Sequence, residues 1–138
     1  HDIGKIGVAD AILKKPGRLS KKDYNLMKTH TIIGDKILAT PSSPVMTLAK
    51  IIARSHHEKF DGTGYPDCLS GNKIPLGARI VALADAFDAM MSNRVYQPSR
   101  GRDWSLQEVK DQRGKQFDPE VCDAFFNQQE AILSLYPS

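Results

Sequence analysis

Residues 75–93, PLGARIVALADAFDAMMSN, constrain the fold most, because this stretch has helical length and is apolar on most of its sides. Proline suits the first turn of a helix. A helix without a continuous polar face must be covered by other parts of the chain. We therefore predict a buried helix at 75–93, interrupted by the carboxylate of Asp85.

Three further helices are expected in the first half of the chain. Ser20 followed by Asp23 resembles a capping box, which opens a helix that extends to about residue 30. A second helix is expected at about 31–40, where two nearby prolines halt it. The third, at about 45–57, carries apolar residues over a wide face, as expected of a central helix.

The C-terminal part of the chain contains two more helix starts. Ser105 with Glu108 makes another capping box, and Asp118-Pro119 matches the cap and first residue of a last helix. The residues of that last helix predicted to face the core are Val121, Phe125, Ile132 and Leu135. No stretch alternates between apolar and polar residues as a strand does. We predict an all-α fold, a helical bundle.

Length and composition suit one ordinary globular domain. The chain has 138 residues and no apolar run near the roughly 20 residues that span a bilayer. Cys68 and Cys122 lie far apart without CxxC spacing, which favours free thiols in a reducing cytoplasm. The net charge of +3 comes from scattered residues and short lysine clusters, which favour a solvated face over a surface for a large nucleic acid.

The four histidines of the chain indicate a metal site as a set. His1 is joined to Asp2, His30 closes one predicted helix, and the pair His56-His57 closes another. Divalent ions such as Fe, Mn, Zn or Ni accept neutral imidazoles and carboxylates, and a carboxylate can bridge two ions. His30 alone also fits an ordinary hydrogen-bonded residue at a helix end, where the helix dipole favours a cation, and the pair His56-His57 also fits an exposed pair without a function.

Further charged residues are candidates for the same site. Asp85 is costly inside a mostly apolar helix unless it is paired or bound to a metal. Asp88 follows one turn later on the same face, where a hydrogen bond from it would orient its neighbours. Lys5 and Arg94 are candidates for contacts to a phosphate, although such cations usually serve only as surface charges.

The motifs that contain these residues occur in an order typical of a known family. They are HDIGKIGV at 1–8, MKTHTIIG at 27–34, HHEKFDGTGYP at 56–66, IPLGARIVALADAFDAM at 74–90 and GKQFDPEV at 114–121. The chain closely resembles the HD-GYP family, a branch of the HD superfamily of metal-dependent phosphohydrolases. The long HHExxDGxGYP string is its specific part, since a bare His-Asp dipeptide is common by chance. The chain departs from the family after Arg94, where Val95-Tyr96-Gln97 replaces the usual Pro-Tyr-Lys.

The resemblance implies an HD-domain helical bundle that hydrolyses the bacterial second messenger cyclic di-GMP to linear pGpG, with GMP after a second cut. It also implies two or three divalent metal ions, usually iron or manganese, which activate water and withdraw charge from the phosphate. By motif position the metal ligands, among which Asp2 bridges two ions and takes part in catalysis, are His1, Asp2, His30, His56, His57 and Asp85.

Other roles follow from the same resemblance. Lys5 is the active-site lysine, which stabilises charge on the phosphate or the leaving oxygen. Tyr65 and Arg94 match positions that contact the dinucleotide. Asp61 and Asp88 are expected to support the site from its surroundings, Asp61 by helping the glycine-rich loop to turn sharply beside it.

The resemblance further implies how the chain is organised within its parent protein. We expect a single HD-GYP domain at 1–138, N-terminally truncated at the HD motif, because the family takes a further His, and often a Glu, from an upstream helix. An upstream receiver or sensory domain and a bacterial cytoplasmic location are also expected. One alternative is a catalytically impaired or inactive module that regulates by contacting a diguanylate cyclase (GGDEF) domain through its GYP loop. Another is an HD phosphohydrolase of a different nucleotide.

Overall fold

The computed structural model describes residues 1–40, 42–92 and 99–136, and within these ranges it contains helices but no strand. Short 3₁₀ turns at Ile3–Gly7 and Gly71–Lys73 accompany the α-helices, which are α1 (Asp10–Leu13), α2 (Lys21–Lys28), α3 (His30–Ile37), α4 (Pro44–Ser55), α5 (Leu76–Met91), α6 (Arg102–Asp111), α7 (Pro119–Asn127) and α8 (Gln129–Leu133). The predicted all-α fold is confirmed. Every helix in the described ranges is too short or too polar to cross a lipid bilayer.

Two of the predicted helix caps are present. The Ser20 hydroxyl accepts a hydrogen bond from the Asp23 amide at 3.1 Å, so α2 begins where the sequence indicates. The Asp118 carboxylate accepts one from the Glu120 amide at 2.7 Å, and Pro119 opens α7. Each cap satisfies an amide that the first helical turn leaves without an intrahelical partner.

The capping box predicted at Ser105 and Glu108 is wrong. α6 begins at Arg102, and Gly101 precedes it in the left-handed region with φ of 83°. Ser105 is buried inside the helix, where its hydroxyl donates to the Gly101 carbonyl at 2.7 Å. A serine can satisfy its hydroxyl on the carbonyl one turn earlier, so Ser-x-x-Glu spacing does not require a helix start.

The main hydrophobic core lies between α5 and the helices that follow it. Its buried members are Leu83, Phe87, Val109, Phe117, Cys122, Phe125 and Leu133. The Phe87 and Phe125 rings meet edge to face with centroids 4.9 Å apart. α5 is less buried than predicted, because Leu76 and Ile80 border an open apolar groove beside α7 and α8 and are about half exposed. Leu135, predicted to face the core, is exposed at the same groove.

The first 3₁₀ turn packs against α3, α3 packs against α4, and α4 packs against α5. Gly4 permits the first of these contacts, because a β-carbon at this position would overlap the His30 carbonyl oxygen. Gly34 permits the second, since a β-carbon there would lie 3.2 Å from the β-carbon of Ala53. These close approaches bring the N-terminal His-Asp pair to the start of α3 and the end of α4.

Gly4→Ala should lower the free energy of unfolding by about 3 kcal/mol, because the added carbon has no room beside the α3 backbone. Urea unfolding followed by circular dichroism measures this loss. Gly17 is the control, since a β-carbon there meets nothing within 4 Å and only its φ of 83° is strained. Gly17→Ala should cost about 1 kcal/mol. Equal losses for both variants would contradict the steric role of Gly4.

Candidate metal centre and its loop

Four side chains from three parts of the chain converge at one point. They are Asp2, His30, His56 and His57, and one ligand atom of each lies within 4.8 Å of those of the others. Asp2 precedes the first 3₁₀ turn, His30 begins α3, and the two remaining histidines follow α4. Three imidazoles and a carboxylate are a donor set suited to a divalent transition metal. We call these four residues the histidine cluster.

Backbone carbonyls orient two of the imidazoles. His30 Nδ1 lies 2.6 Å from the Met27 carbonyl oxygen, and His56 Nδ1 lies 3.0 Å from that of Ile52. A carbonyl only accepts hydrogen bonds, so each Nδ1 carries a proton, and in the neutral form of the ring each Nε2 presents a lone pair. The two Nε2 atoms lie 3.5 Å apart and face the same point. This arrangement, a donated Nδ1 proton and a free Nε2, is usual for metal-binding histidines.

Burial keeps the imidazoles of His56 and His57 neutral. Loss of water around the ring lowers the pKa of His57 to about 3, and the neighbouring His56 and His30 lower it further. The pKa of His56 is also lowered, again mainly by burial. Both groups are therefore in the neutral form near neutral pH, which is the form that binds metals.

The two carboxylate oxygens of Asp2 face different neighbours. Oδ1 lies 3.6 Å from His30 Nε2 and 3.8 Å from His56 Nε2. Oδ2 accepts a hydrogen bond from the Lys5 ammonium and lies 3.6 Å from His1 Nε2. A carboxylate placed in this way can contribute one oxygen to each of two adjacent ions.

His1 and Asp85 form a second donor group next to the first. His1 Nε2 lies 3.7 Å from Asp85 Oδ1, and both side chains are about one-third exposed. Burial opposes the charged form of Asp2, but the hydrogen bond and charge of Lys5 outweigh it and hold the pKa of Asp2 below its ordinary value. The structure thus brings together all six residues that the resemblance implies as metal ligands, together with Lys5.

Tyr65, from the loop that follows α4, covers one side of the histidine cluster. Its ring stacks on the His57 ring with centroids 4.8 Å apart and 25° between the planes. Burial raises the pKa of its hydroxyl, and the nearby Tyr24, Asp2 and Asp85 raise it further. The phenol therefore stays protonated and can donate a hydrogen bond at the edge of the cluster.

Glu58 holds this loop in place, and sequence reasoning did not identify it. Only 2% of the residue is exposed, and its carboxylate accepts hydrogen bonds from the amides of Asp67 at 2.7 Å and Leu69 at 3.0 Å. The sequence signal was an acid directly after the histidine pair. That signal does not indicate which backbone amides the acid reaches, because the partners lie beyond a turn whose path depends on the folded loop.

Arg54 ties the same loop to two helices. From α4 it donates two hydrogen bonds to Asp67, at 2.7 and 2.8 Å, and one to Asp35 of α3 at 2.9 Å. These bonds to Arg54 lower the pKa of Asp67, so the carboxylate stays charged over the neutral range. A two-pronged guanidinium–carboxylate pair fixes geometry as well as charge.

The remaining predicted site residues lie outside the histidine cluster. Asp61 accepts hydrogen bonds from the amide and hydroxyl of Thr63, at 2.9 and 2.6 Å, which close a turn at the tip of the loop. Asp88 is exposed and accepts a bond from the Tyr136 hydroxyl at 3.1 Å, which ties α5 to the C-terminal end of the described chain. Arg94 lies outside the described residues. The supporting roles of Asp61 and Asp88 at the centre stay predictions.

Glu58→Ala should lower the free energy of unfolding by roughly 3 kcal/mol, because two amides lose their acceptor in a buried setting. Hydrogen exchange at the amides of Asp67 and Leu69 should accelerate in the variant. Urea unfolding and exchange monitored by NMR measure the two effects. Glu120→Ala removes an exposed carboxylate and should change stability by less than about 0.5 kcal/mol. Unchanged exchange in Glu58→Ala would show that the carboxylate does not hold the loop.

Comparison with known proteins gives consistent matches over almost the whole chain. A family model described as an HD domain matches residues 1–121. A cyclic di-GMP phosphodiesterase of Thermotoga maritima is 44% identical over 136 residues, which cover 99% of this chain and 37% of that protein. A cyclic di-GMP phosphodiesterase of Vibrio cholerae is 42% identical, with 98% of this chain and 28% of that protein covered.

A third relative carries a different substrate in its name. The 3'3'-cGAMP-specific phosphodiesterase 3 of Vibrio cholerae is 42% identical over 137 residues, which cover 99% of this chain and 28% of that protein. The chain thus spans well under half the length of these three curated relatives. The family model and the relatives agree with the motif order and with the convergence of the His-Asp residues. The chain belongs to the HD domain family.

Proposed function

We propose that this domain is a metal-dependent phosphodiesterase that hydrolyses cyclic di-GMP to linear pGpG, with GMP as the product of a second cut. The observation that carries the proposal is the Asp2 carboxylate, whose two oxygens face two donor groups with a lysine beside it. The names of the relatives from Thermotoga maritima and Vibrio cholerae support cyclic di-GMP as the substrate.

The donor atoms divide into two groups that would hold the ions. His30, His56 and His57 would bind one ion, His1 and Asp85 would bind a second, and Asp2 would serve both. Iron or manganese suits this mixture of imidazole and carboxylate, and two or three ions are the expected number. When bound, the ions would activate water at neutral pH and withdraw charge from the phosphate.

The protein's own residues prepare the site for that chemistry. The backbone carbonyls of Met27 and Ile52 hold two imidazoles with their Nε2 lone pairs facing the centre, so little reorganisation is required. The Lys5 ammonium, already beside Asp2, would stabilise charge on a phosphate or leaving oxygen. The half-buried Tyr65 side chain, through its hydroxyl, and the Arg94 guanidinium would bind the dinucleotide.

Two finer parts of the proposal are the identity of the dinucleotide and the cellular location of the domain. The 42% identical relative named as 3'3'-cGAMP-specific makes that cyclic dinucleotide the main competing substrate, and it differs from cyclic di-GMP only in one base. We also propose that the domain acts in the bacterial cytoplasm, downstream of a receiver or sensory domain. The free thiols of Cys68 and Cys122 support a reducing compartment.

A binding function through the GYP loop is the second candidate. The loop presents Asp61, Thr63, Asp67 and Cys68 to solvent. Arg54 and Glu58 fix its shape, as an interaction surface requires. A diguanylate cyclase domain (GGDEF) is the proposed partner, and a regulatory module of this kind would bind it without hydrolysing cyclic di-GMP.

The test is hydrolysis of cyclic di-GMP by the native full-length protein loaded with iron or manganese without oxygen. We expect pGpG to form, and Lys5→Ala to lower kcat about a hundredfold while metal content stays unchanged. Lys14→Ala is the matched control, because Lys14 is an exposed lysine that also pairs with a nearby aspartate, Asp10, at 2.7 Å. Its kcat should stay within twofold of the parent.

Metal analysis and a substrate panel separate the alternatives. His57→Asn should reduce bound metal and activity together, because it removes one imidazole from the cluster. Preferred turnover of 3'3'-cGAMP would change the assigned substrate. Full metal occupancy without turnover of either dinucleotide would reject the phosphodiesterase and leave the binding function.

A further inference from the structure

Two side chains of α2, Tyr24 and Lys28, extend the histidine cluster along a continuous surface. They lie one helical turn apart, so both project from the same face of α2. The Tyr24 and Tyr65 rings meet edge to face with centroids 6.4 Å apart. Tyr65 in turn stacks on His57 at 4.8 Å. Two aromatic rings therefore lead outward from the metal centre to α2.

Lys28 supplies a positive charge to this surface. Its ammonium lies 5.0 Å from the Tyr24 ring centroid and 5.4 Å from that of Tyr65, within the range of cation–π attraction. In the part of the chain that the structure describes, the lysines in ion pairs are Lys5, Lys14, Lys15 and Lys50. Among the described residues the Lys28 charge thus lies beside ring faces and not beside an acid, and it remains able to attract an anion.

Tyr24 stays about half exposed to solvent although it contacts Tyr65 and Lys28. Its ring meets the Tyr65 ring edge to face, the two side chains also share a hydrogen bond, and 47% of the residue is exposed. An exposed aromatic ring beside a lysine is the combination that binds a nucleobase together with its phosphate. The surface adjoins the point where the phosphodiester would be cut, so a base attached to that phosphate can reach it.

We propose that Tyr24 and Lys28 form a nucleotide-binding subsite of the phosphodiesterase, in which Tyr24 stacks on a base of the cyclic dinucleotide and Lys28 contacts its phosphate. The proposal rests on the proposed function, because it assigns the substrate a second set of contacts at the same site. Both residues act on binding and not on the bond that breaks. Their removal therefore raises KM and leaves kcat nearly unchanged.

The experiment compares Tyr24→Ala and Lys28→Met with the parent in the native full-length protein. For cyclic di-GMP, each variant should raise KM roughly fivefold to tenfold, as expected for loss of one stacking or phosphate contact. Lys28→Met should also weaken the dependence of KM on salt, and Lys28→Arg should restore most of the affinity. For methyl p-nitrophenyl phosphate, which has no nucleobase, kcat/KM of Tyr24→Ala should stay within twofold of the parent.

Matched controls come from elsewhere on the surface. Lys22→Met removes another exposed lysine of α2, and Trp104→Ala removes an exposed ring of α6 that pairs with Arg100 at 5.2 Å. Neither should change KM. Circular dichroism melts of all variants should show the same cooperative unfolding as the parent, because the substituted side chains lie outside the hydrophobic core.

Calorimetric binding of cyclic di-GMP separates the failure of this proposal from the failure of the function. Unchanged KM in both Tyr24→Ala and Lys28→Met would overturn the subsite while leaving the phosphodiesterase in place. Absence of turnover in the parent would reject the phosphodiesterase. The dissociation constants of cyclic di-GMP for the parent and the two variants would then test the subsite. Weaker binding in both variants would support it, and equal or absent binding would overturn it.

Discussion

The Asp2 carboxylate lies between two groups of donor residues, and the geometry of the site depends on its position, because each of its oxygens faces one group. Oδ1 faces His30 and His56, whereas Oδ2 faces Lys5 and His1. The arrangement requires the first 3₁₀ turn to lie against α3 without a side chain between them. Gly4 meets that requirement. A change in this packing would therefore move one donor group relative to the other, although no ligand had been altered.

The imidazoles are prepared for metal binding by the ends of α2 and α4, which lie beside them. Helix-end carbonyls accept the Nδ1 protons of His30 and His56, and burial lowers the pKa of His56 and His57. The first effect selects the tautomer and the second selects the neutral form. Both depend on where α2 and α4 end, because His30 and His56 follow those helices closely in the chain. The helix ends therefore help to set the form of the imidazoles that can bind a metal.

The glycine-rich loop depends on charges that the metal centre does not use. Glu58 holds two loop amides, and Arg54 holds Asp67 against α3. Gly64 lets the loop pass closely over Glu58, where a β-carbon would overlap the backbone. The outcome is a fixed position for Tyr65 on His57. This fixed ring joins the histidine cluster to the surface formed by Tyr24 and Lys28.

The helical class, the caps at Ser20 and Asp118 and the presence of residue types suited to a metal could all be predicted from the sequence, because they depend on local spacing and chemistry. The helix start predicted at Ser105 is wrong, because a serine hydroxyl can donate to a carbonyl inside a helix as readily as it can cap the start of a helix. Three features depend on tertiary packing and could not be predicted: which oxygen of Asp2 faces which histidine, the hydrogen bonds that the amides of Asp67 and Leu69 donate to Glu58, and the position of Tyr24 and Lys28 beside Tyr65. These contacts join residues that are distant in the chain, and their partners depend on how helices and loop pack together.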